Sequence, residues 1–262
     1  MIDIHNHILP GLDDGPETVE ESLEMAEALV RAGFTAVVAT PHVLPGLYEN
    51  TREAILDAVA SLRRMLASEK IPLEVYPGSE CRIALELPES LERGELVTLG
   101  DSGKYLLVEF PMHELPPYAL DTLFRLQLGG VRPVIAHPER HSFFRESPRL
   151  LADIVERGAL VQVTAGALTG LFGPAEQRAV CRWLREGLVH FVASDAHSNG
   201  KRLEAVRKAA ELLGAGSGIL LRDAPEAALQ GCDKIPAAAP DISASCREAR
   251  TGFLGRLFGK RR

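Results

Sequence analysis

Short apolar runs alternate with longer amphipathic stretches along most of the chain. The runs predict strands at Ile2–His5, Thr35–Thr40, Leu73–Pro77, Tyr105–Phe110, Pro133–Ala136, Leu160–Thr164 and His190–Ser194. Several are β-branched and nearly continuous in apolar character, the mark of parallel strands buried on both faces. The stretches between them repeat at the helical period. Val19, Leu23, Ala26 and Val30 share one helical face, as do Ile55, Val59, Leu62 and Leu66, and again Leu203, Val206, Ala210 and Leu213. Thr18 and Glu21 have the spacing of a capping box, Gly33 supplies a stop, and Pro174 and Gly187 bracket a further helix. Strand followed by helix, repeated, predicts a parallel α/β protein, built either as a closed barrel or as a doubly wound open sheet.

The polar residues at the strand ends favour one of the two. His5 and His7 follow the first strand, His42 the second and Glu80 the third; Glu109 ends the fourth, His137 follows the fifth and Asp195 the seventh. Ionisable groups at the C-terminal ends of nearly all strands converge only if those ends encircle one point, the mouth of a closed (β/α) barrel. An open sheet gathers its ligands at a switch point fed by fewer strands.

Composition excludes several classes. The chain has 262 residues, 46% apolar and 25% charged, ample for a packed core and unlike a disordered protein. A net charge of −7 argues against nucleic acid as a partner. No apolar run approaches the ~20 residues of a membrane span, and MIDIHNHILPG lacks a signal pattern, so the expected location is cytoplasmic. Cys81, Cys181, Cys232 and Cys246 form no Cys-x-x-Cys pair, and none has an Arg six positions on, so zinc-ribbon, thioredoxin-type and cysteine-phosphatase sites are all excluded. Residues 1–235 are expected to form the barrel and 236–262 an appended tail. That tail holds six basic and two acidic residues, +4, leaving −11 for the rest.

His5-x-His7 after a strand places two imidazoles on one side. Around it stand Asp13-Asp14-Gly15, Pro41-His42, Gly78-Ser79-Glu80, Val108-Glu109-Phe110, His137-Pro138-Glu139-Arg140 and Ser194-Asp195-Ala196-His197. So many titratable groups are costly to gather without a compensating cation. Imidazole and carboxylate without thiolate suit Mn, Fe or Zn in a catalytic site, and this many ligands suit two or three ions rather than one. Arg140 and Arg202 fall near the same mouth, placed either to fork onto phosphate oxygens or to pair with acids such as Glu139 or Glu204. His190 reads as a packing residue and His113 as a surface-loop residue.

The strings IDIHNHILPGLDDGP, VVATPH, PGSE, LLVEFP, IAHPERH and SDAH resemble the PHP (polymerase and histidinol phosphatase) superfamily of phosphoesterases. Within it they are most similar to the bacterial manganese-dependent tyrosine-protein phosphatases of capsule and exopolysaccharide loci. The likeness runs from Met1 to about Leu213, with departures at Cys81, His141 and Leu203. It implies a distorted (β/α)7 barrel with a trinuclear site. On that pattern His5, His7, Glu80 and Asp195 hold a first ion, Glu80, Glu109 and His137 a second, and Asp14, His42 and His197 a third. Arg140 and Arg202 match the phosphate-binding arginines. The implied chemistry is attack of a metal-bound hydroxide on phosphotyrosine, with the tail of a membrane-anchored tyrosine autokinase as substrate. Other readings keep the same fold: a phosphatase of a small monoester such as histidinol phosphate, an enzyme of a nucleic-acid phosphodiester, against which the acidic charge argues, and a regulator that binds phosphotyrosine without cleaving it. In the tail, Phe253 with Leu257 and Leu254 with Phe258 are i,i+4 pairs flanked by basic residues, so a short amphipathic helix touching the inner membrane face stands beside a plain solvated tail.

Overall fold

In the computed structural model the described residues are 1–147 and 149–238. The amphipathic tail segment and Cys246 lie outside them. Among the described residues nine strands run β1 (Ile2–Asn6), β2 (Ala36–Ala39), β3 (His42–Val43), β4 (Glu74–Pro77), β5 (Glu80–Arg82), β6 (Tyr105–Glu109), β7 (Arg132–Ile135), β8 (Leu160–Thr164) and β9 (Phe191–Ala193). Every predicted strand is present within a residue or two. The short strands β3 and β5 were not foreseen. They continue β2 and β4 after breaks at Thr40–Pro41 and Gly78–Ser79.

All ladders are parallel, in the orders β1-β2-β4 and β3-β5-β6-β7-β8-β9. The two sheets are one ring. A parallel bridge joins Asn6 to Ala196, where the His7 amide donates to the Ala196 carbonyl and the Asp195 amide to the His5 carbonyl, both at 3.0 Å. Counting β2 with β3 and β4 with β5 as broken strands gives the expected seven-stranded barrel. Its distortion lies between β4 and β6, where the turn Leu99–Asp101 is inserted and Leu99 joins the inner core.

Alternation along the strands divides the core in two. Val38, Leu107, Val134, Leu160 and Phe191 point inward and pack with Ile4 and Tyr105 inside the ring. Val37, Val108, Ile135, Val161 and Val192 point outward, against the apolar stripes of the surrounding helices. Those stripes are the predicted ones. The helix Val19–Ala32 starts at the Thr18–Glu21 capping box and ends at Gly33 with φ of 97°, which glycine adopts without strain. The helices Arg52–Ser68, Pro174–Arg185 and Lys201–Leu213 follow the other patterns. The helix Ala224–Leu229 closes the bottom of the ring with Ala224 and Ala228. Depth therefore orders the interior, apolar below and polar at the C-terminal mouth.

Candidate metal centre

Along four strands the inward parity leads to a polar side chain at the mouth: Glu109 beyond Leu107, Asp195 beyond Ala193, Gln162 beyond Leu160 and His42 beyond Val38. The first strand needs a correction to that rule. Ile4 and His5 are neighbours, yet Ile4 packs in the inner core and His5 bonds Gln162 inside the ring. A bulge makes this possible, since Asp3 to Asn6 spans three steps against the two from Val37 to Ala39. His137 and Asp195 have positive φ, 29° and 51°, costly for residues with a Cβ. At His137, which follows the inward-facing Ala136, that backbone turns into the mouth a side chain that parity alone would send outward. The Asp13-Asp14-Gly15 turn closes over His7 so tightly that a Cβ on Gly15 would lie 2.2 Å from the His7 carbonyl oxygen.

All nine predicted ligands come together. Ligand atoms of His5, His7 and Glu80 lie within 4.8 Å of one another, as do those of His7, Asp14, His42 and His197, and those of His42, Glu80 and Glu109. His137 Nε2 is 2.9 Å from Glu80 Oε1 and 3.8 Å from Glu109 Oε1. Asp195 Oδ1 is 3.4 Å from His5 Nε2 and 3.6 Å from His7 Nε2. The grouping is less partitioned than the resemblance implied, because His7 also faces the Asp14 set and His42 also faces Glu80 and Glu109. His5, His7, Glu80 and Asp195 are buried, His42 and His197 are partly exposed, and Asp14 stands at the rim.

The donor set fits cations. Glu80 Oε2 is buried with imidazole nitrogens of His5, His42 and His7 at 3.1, 3.1 and 3.4 Å, and none of them makes a hydrogen bond to it. Two imidazole nitrogens, His5 Nε2 and His7 Nε2, face each other at 3.2 Å. Lone pairs and carboxylate oxygens thus share one small volume. Burial opposes charge on both Glu80 and Asp195, yet positive charge beside them, that of His5 when its ring is protonated and at Asp195 also that of Arg140, holds each carboxyl well below its usual range. The bond from His197 brings Asp14 down to about 2.

Both arginines turn to Asp195 rather than to Glu139 or Glu204. Arg140 Nη1 and Arg202 Nη1 lie 2.9 and 3.0 Å from Asp195 Oδ2, and Arg202 also reaches the Asp195 carbonyl and His197 Nδ1. Glu139 is buried and accepts from the Thr164 amide and hydroxyl, each at 2.7 Å. His190 accepts the Val161 amide on Nδ1 and has no part in the mouth, and His113 is exposed.

A scan against family models matches residues 1–218 to the description "Capsular polysaccharide synthesis, CpsB/CapC". The chain belongs to the CpsB/CapC family. Among CpsB/CapC relatives, it is 47% identical over 198 residues to the tyrosine-protein phosphatase YwqE of Bacillus subtilis, 76% of this chain and 78% of that one. It is 31% identical over 218 residues to the tyrosine-protein phosphatase CpsB of Streptococcus pneumoniae, covering 81% and 89%. A crystal structure from work on YwqE and CpsB, described as metal-dependent tyrosine phosphatases, superposes with a TM-score of 0.84 at 40% identity, over 92% of this chain and 98% of that one. Histidinol phosphate phosphatase from Lactococcus lactis shares the fold, with a TM-score of 0.53 at 11% identity over 80% of this chain and 93% of that one. The expected family is borne out at the level of CpsB/CapC, the relatives named are tyrosine-protein phosphatases, and the likeness to the histidinol phosphatase is one of fold.

Several residues of this CpsB/CapC mouth escaped the sequence reading. Asp13 Oδ2 accepts from His7 Nδ1 at 2.7 Å and from the His42 amide at 3.0 Å. Gln162 Oε1 faces His5 Nδ1 at 2.9 Å and accepts the His137 amide at 3.3 Å. Asp3 accepts from the Ser194 amide and hydroxyl and from Asn6 Nδ2, tying β1 to β9. Asp13 was visible within its Asp-Asp-Gly string, and Gln162 as the polar residue in the middle of LVQVT. Phe172 had no signal; its ring lies under both arginines.

Proposed function

We propose that this protein is a metal-dependent protein-tyrosine phosphatase that acts on the phosphorylated tail of a bacterial tyrosine autokinase in capsule or exopolysaccharide production. The observation that carries the reading is the shared mouth: nine imidazole and carboxylate ligands and two guanidiniums converge on one small volume. His5, His7, Asp14, His42, Glu80, Glu109, His137, Asp195 and His197 hold two or three divalent ions, manganese first, with iron and zinc as alternatives. When bound, the ions supply Lewis-acid activation of water at neutral pH.

The chain's own residues do the rest. Asp13 and Gln162 orient the rings of His7 and His5, so that each Nε2 faces the centre. Arg140 and Arg202 take the equatorial phosphoryl oxygens and stabilise the charge spread over them in the transition state. The contacts of both with Asp195 use Nη1, which leaves the other edge of each guanidinium for a second acceptor. A tyrosine phenolate, with a pKa of about 10, leaves without strong acid catalysis. No protein nucleophile is needed, and Cys81 could not serve: burial pushes its thiol up to about 12.

The test is steady-state hydrolysis of a phosphotyrosine peptide against histidinol phosphate, using metal-stripped protein refilled with Mn, Fe or Zn. Metal-restored cleavage of the peptide, with little of the small ester, is the expected result. The opposite preference overturns the substrate, and no turnover with any metal overturns the enzyme.

A further inference from the structure

Arg140 and Arg202 reach the mouth from distant parts of the chain, one from the turn after β7 and one from the first turn of the helix Lys201–Leu213. Their Nη1 atoms meet on a single carboxylate oxygen, Asp195 Oδ2. Two like charges so close repel, and that oxygen belongs to a carboxylate already facing His5 and His7. A second restraint is present. The guanidinium carbons of Arg140 and Arg202 lie over the ring of Phe172, 5.2 and 5.6 Å from its centroid. Both distances are within the range of attraction between a cation and a π-face.

The ring is itself seated. Phe172 follows the short helix Ala165–Leu168, and a Cβ built on Gly166 would stand 2.8 Å from Phe172 Cε2 and 3.0 Å from Cζ. The backbone conformation of Gly166 does not require glycine; the space beneath the ring does. Phe172 is only partly buried, so its bulk is not a main support of the barrel.

We propose that Phe172 is a positioning residue, an aromatic platform that holds Arg140 and Arg202 side by side so that one phosphoryl group meets both. The proposal rests on the phosphatase reading, in which the arginines grip phosphate. The contacts of Phe172 with the mouth described above are those with the two guanidiniums. It acts through the guanidiniums alone.

Three full-length variants test it: Phe172→Leu, which keeps the bulk and removes the π-face; Phe172→Tyr, which keeps both; and Gly166→Ala, which favours the helix but lifts the ring. Two readouts are taken. One is the KM for a phosphotyrosine peptide together with the inhibition constant of inorganic phosphate. The other is the ring-current shift of the arginine side-chain Nε–H resonances, assigned with Arg140→Lys and Arg202→Lys. Phe172→Leu should weaken both constants about tenfold and abolish the shift, while Phe172→Tyr stays within about twofold of wild type. Gly166→Ala should fall between them. Equal losses in Phe172→Leu and Phe172→Tyr, or none in Phe172→Leu, overturn the platform. Failure of wild type to cleave the peptide overturns the phosphatase reading. The resonances then decide the platform alone: a shift lost in Phe172→Leu supports it, and a shift unchanged overturns it.

Discussion

His5 and His7 each have two ring nitrogens, and the partner of one decides what the other can do. Gln162 Oε1 and Asp13 Oδ2 sit on the Nδ1 atoms, which turns both Nε2 lone pairs toward Glu80 and Asp195. Replacing Gln162 with Leu should therefore weaken manganese binding about 10–100-fold, the scale for losing an outer-shell partner, with the fold intact. Calorimetric titration of stripped protein checks this, and unchanged affinity would remove Gln162 from the site. Loss of a direct transition-state contact should cost more. Arg140→Ala should lower kcat at least ~100-fold on a phosphotyrosine peptide, and near-wild-type turnover would refute its role. The ligands were legible because each ends an apolar run in a short motif. Their helpers were less so. Asp13 stands beside a stronger candidate, Gln162 is an uncharged polar letter inside a buried strand, and Phe172 looks like any aromatic of a loop.

At the scale of elements, strands and helices were legible where one periodicity governs a whole segment. The capping box at Thr18 is a case: its side chain accepts the Glu21 amide, and Glu21 reaches back to the Thr18 amide. Thr18→Ala should cost about 1 kcal/mol in urea unfolding. What periodicity does not encode is its own interruption. The bulge in β1 has no local signal, and the breaks after β2 and β4 fall at Pro41 and Gly78, strand breakers that lie outside the apolar alternation. His190 shows how an element boundary can titrate. Burial, with help from the Arg132 charge, lowers its pKa to about 4, and its Nδ1 accepts the Val161 amide between β8 and β9. Folded His190 thus prefers to be neutral. Its contribution is complete above the unfolded value of about 6.5 and is lost as pH falls toward about 4. His190→Asn keeps an acceptor without a titration. Between pH 7 and pH 4, wild type should lose about 2 kcal/mol relative to that variant in urea unfolding. Parallel pH profiles would show that His190 does not titrate with folding.

The whole molecule is polarised by depth, with an apolar plug at one end of the ring and a crowd of carboxylates and imidazoles at the other. The candidate ligands come from positions 5 to 197, so only the closed barrel assembles them. An unfolded chain offers scattered histidines and acids with no shared site. Ions that fill the mouth must then appear as folding stability, because they bind the native state and hardly the unfolded one. At a hundredfold excess over Kd one ion adds about 2.7 kcal/mol, which for a domain above 150 residues corresponds to roughly 5–10 °C in Tm. Thermal unfolding in chelator and then in excess manganese should show at least that rise, and His137→Ala should lose part of it while unfolding as one transition. The measurement is independent of turnover, so it separates the cation site from the substrate. A Tm that is the same in chelator and in manganese, iron or zinc would mean that the mouth is held by its own ion pairs. The nine side chains would then need another explanation than metal.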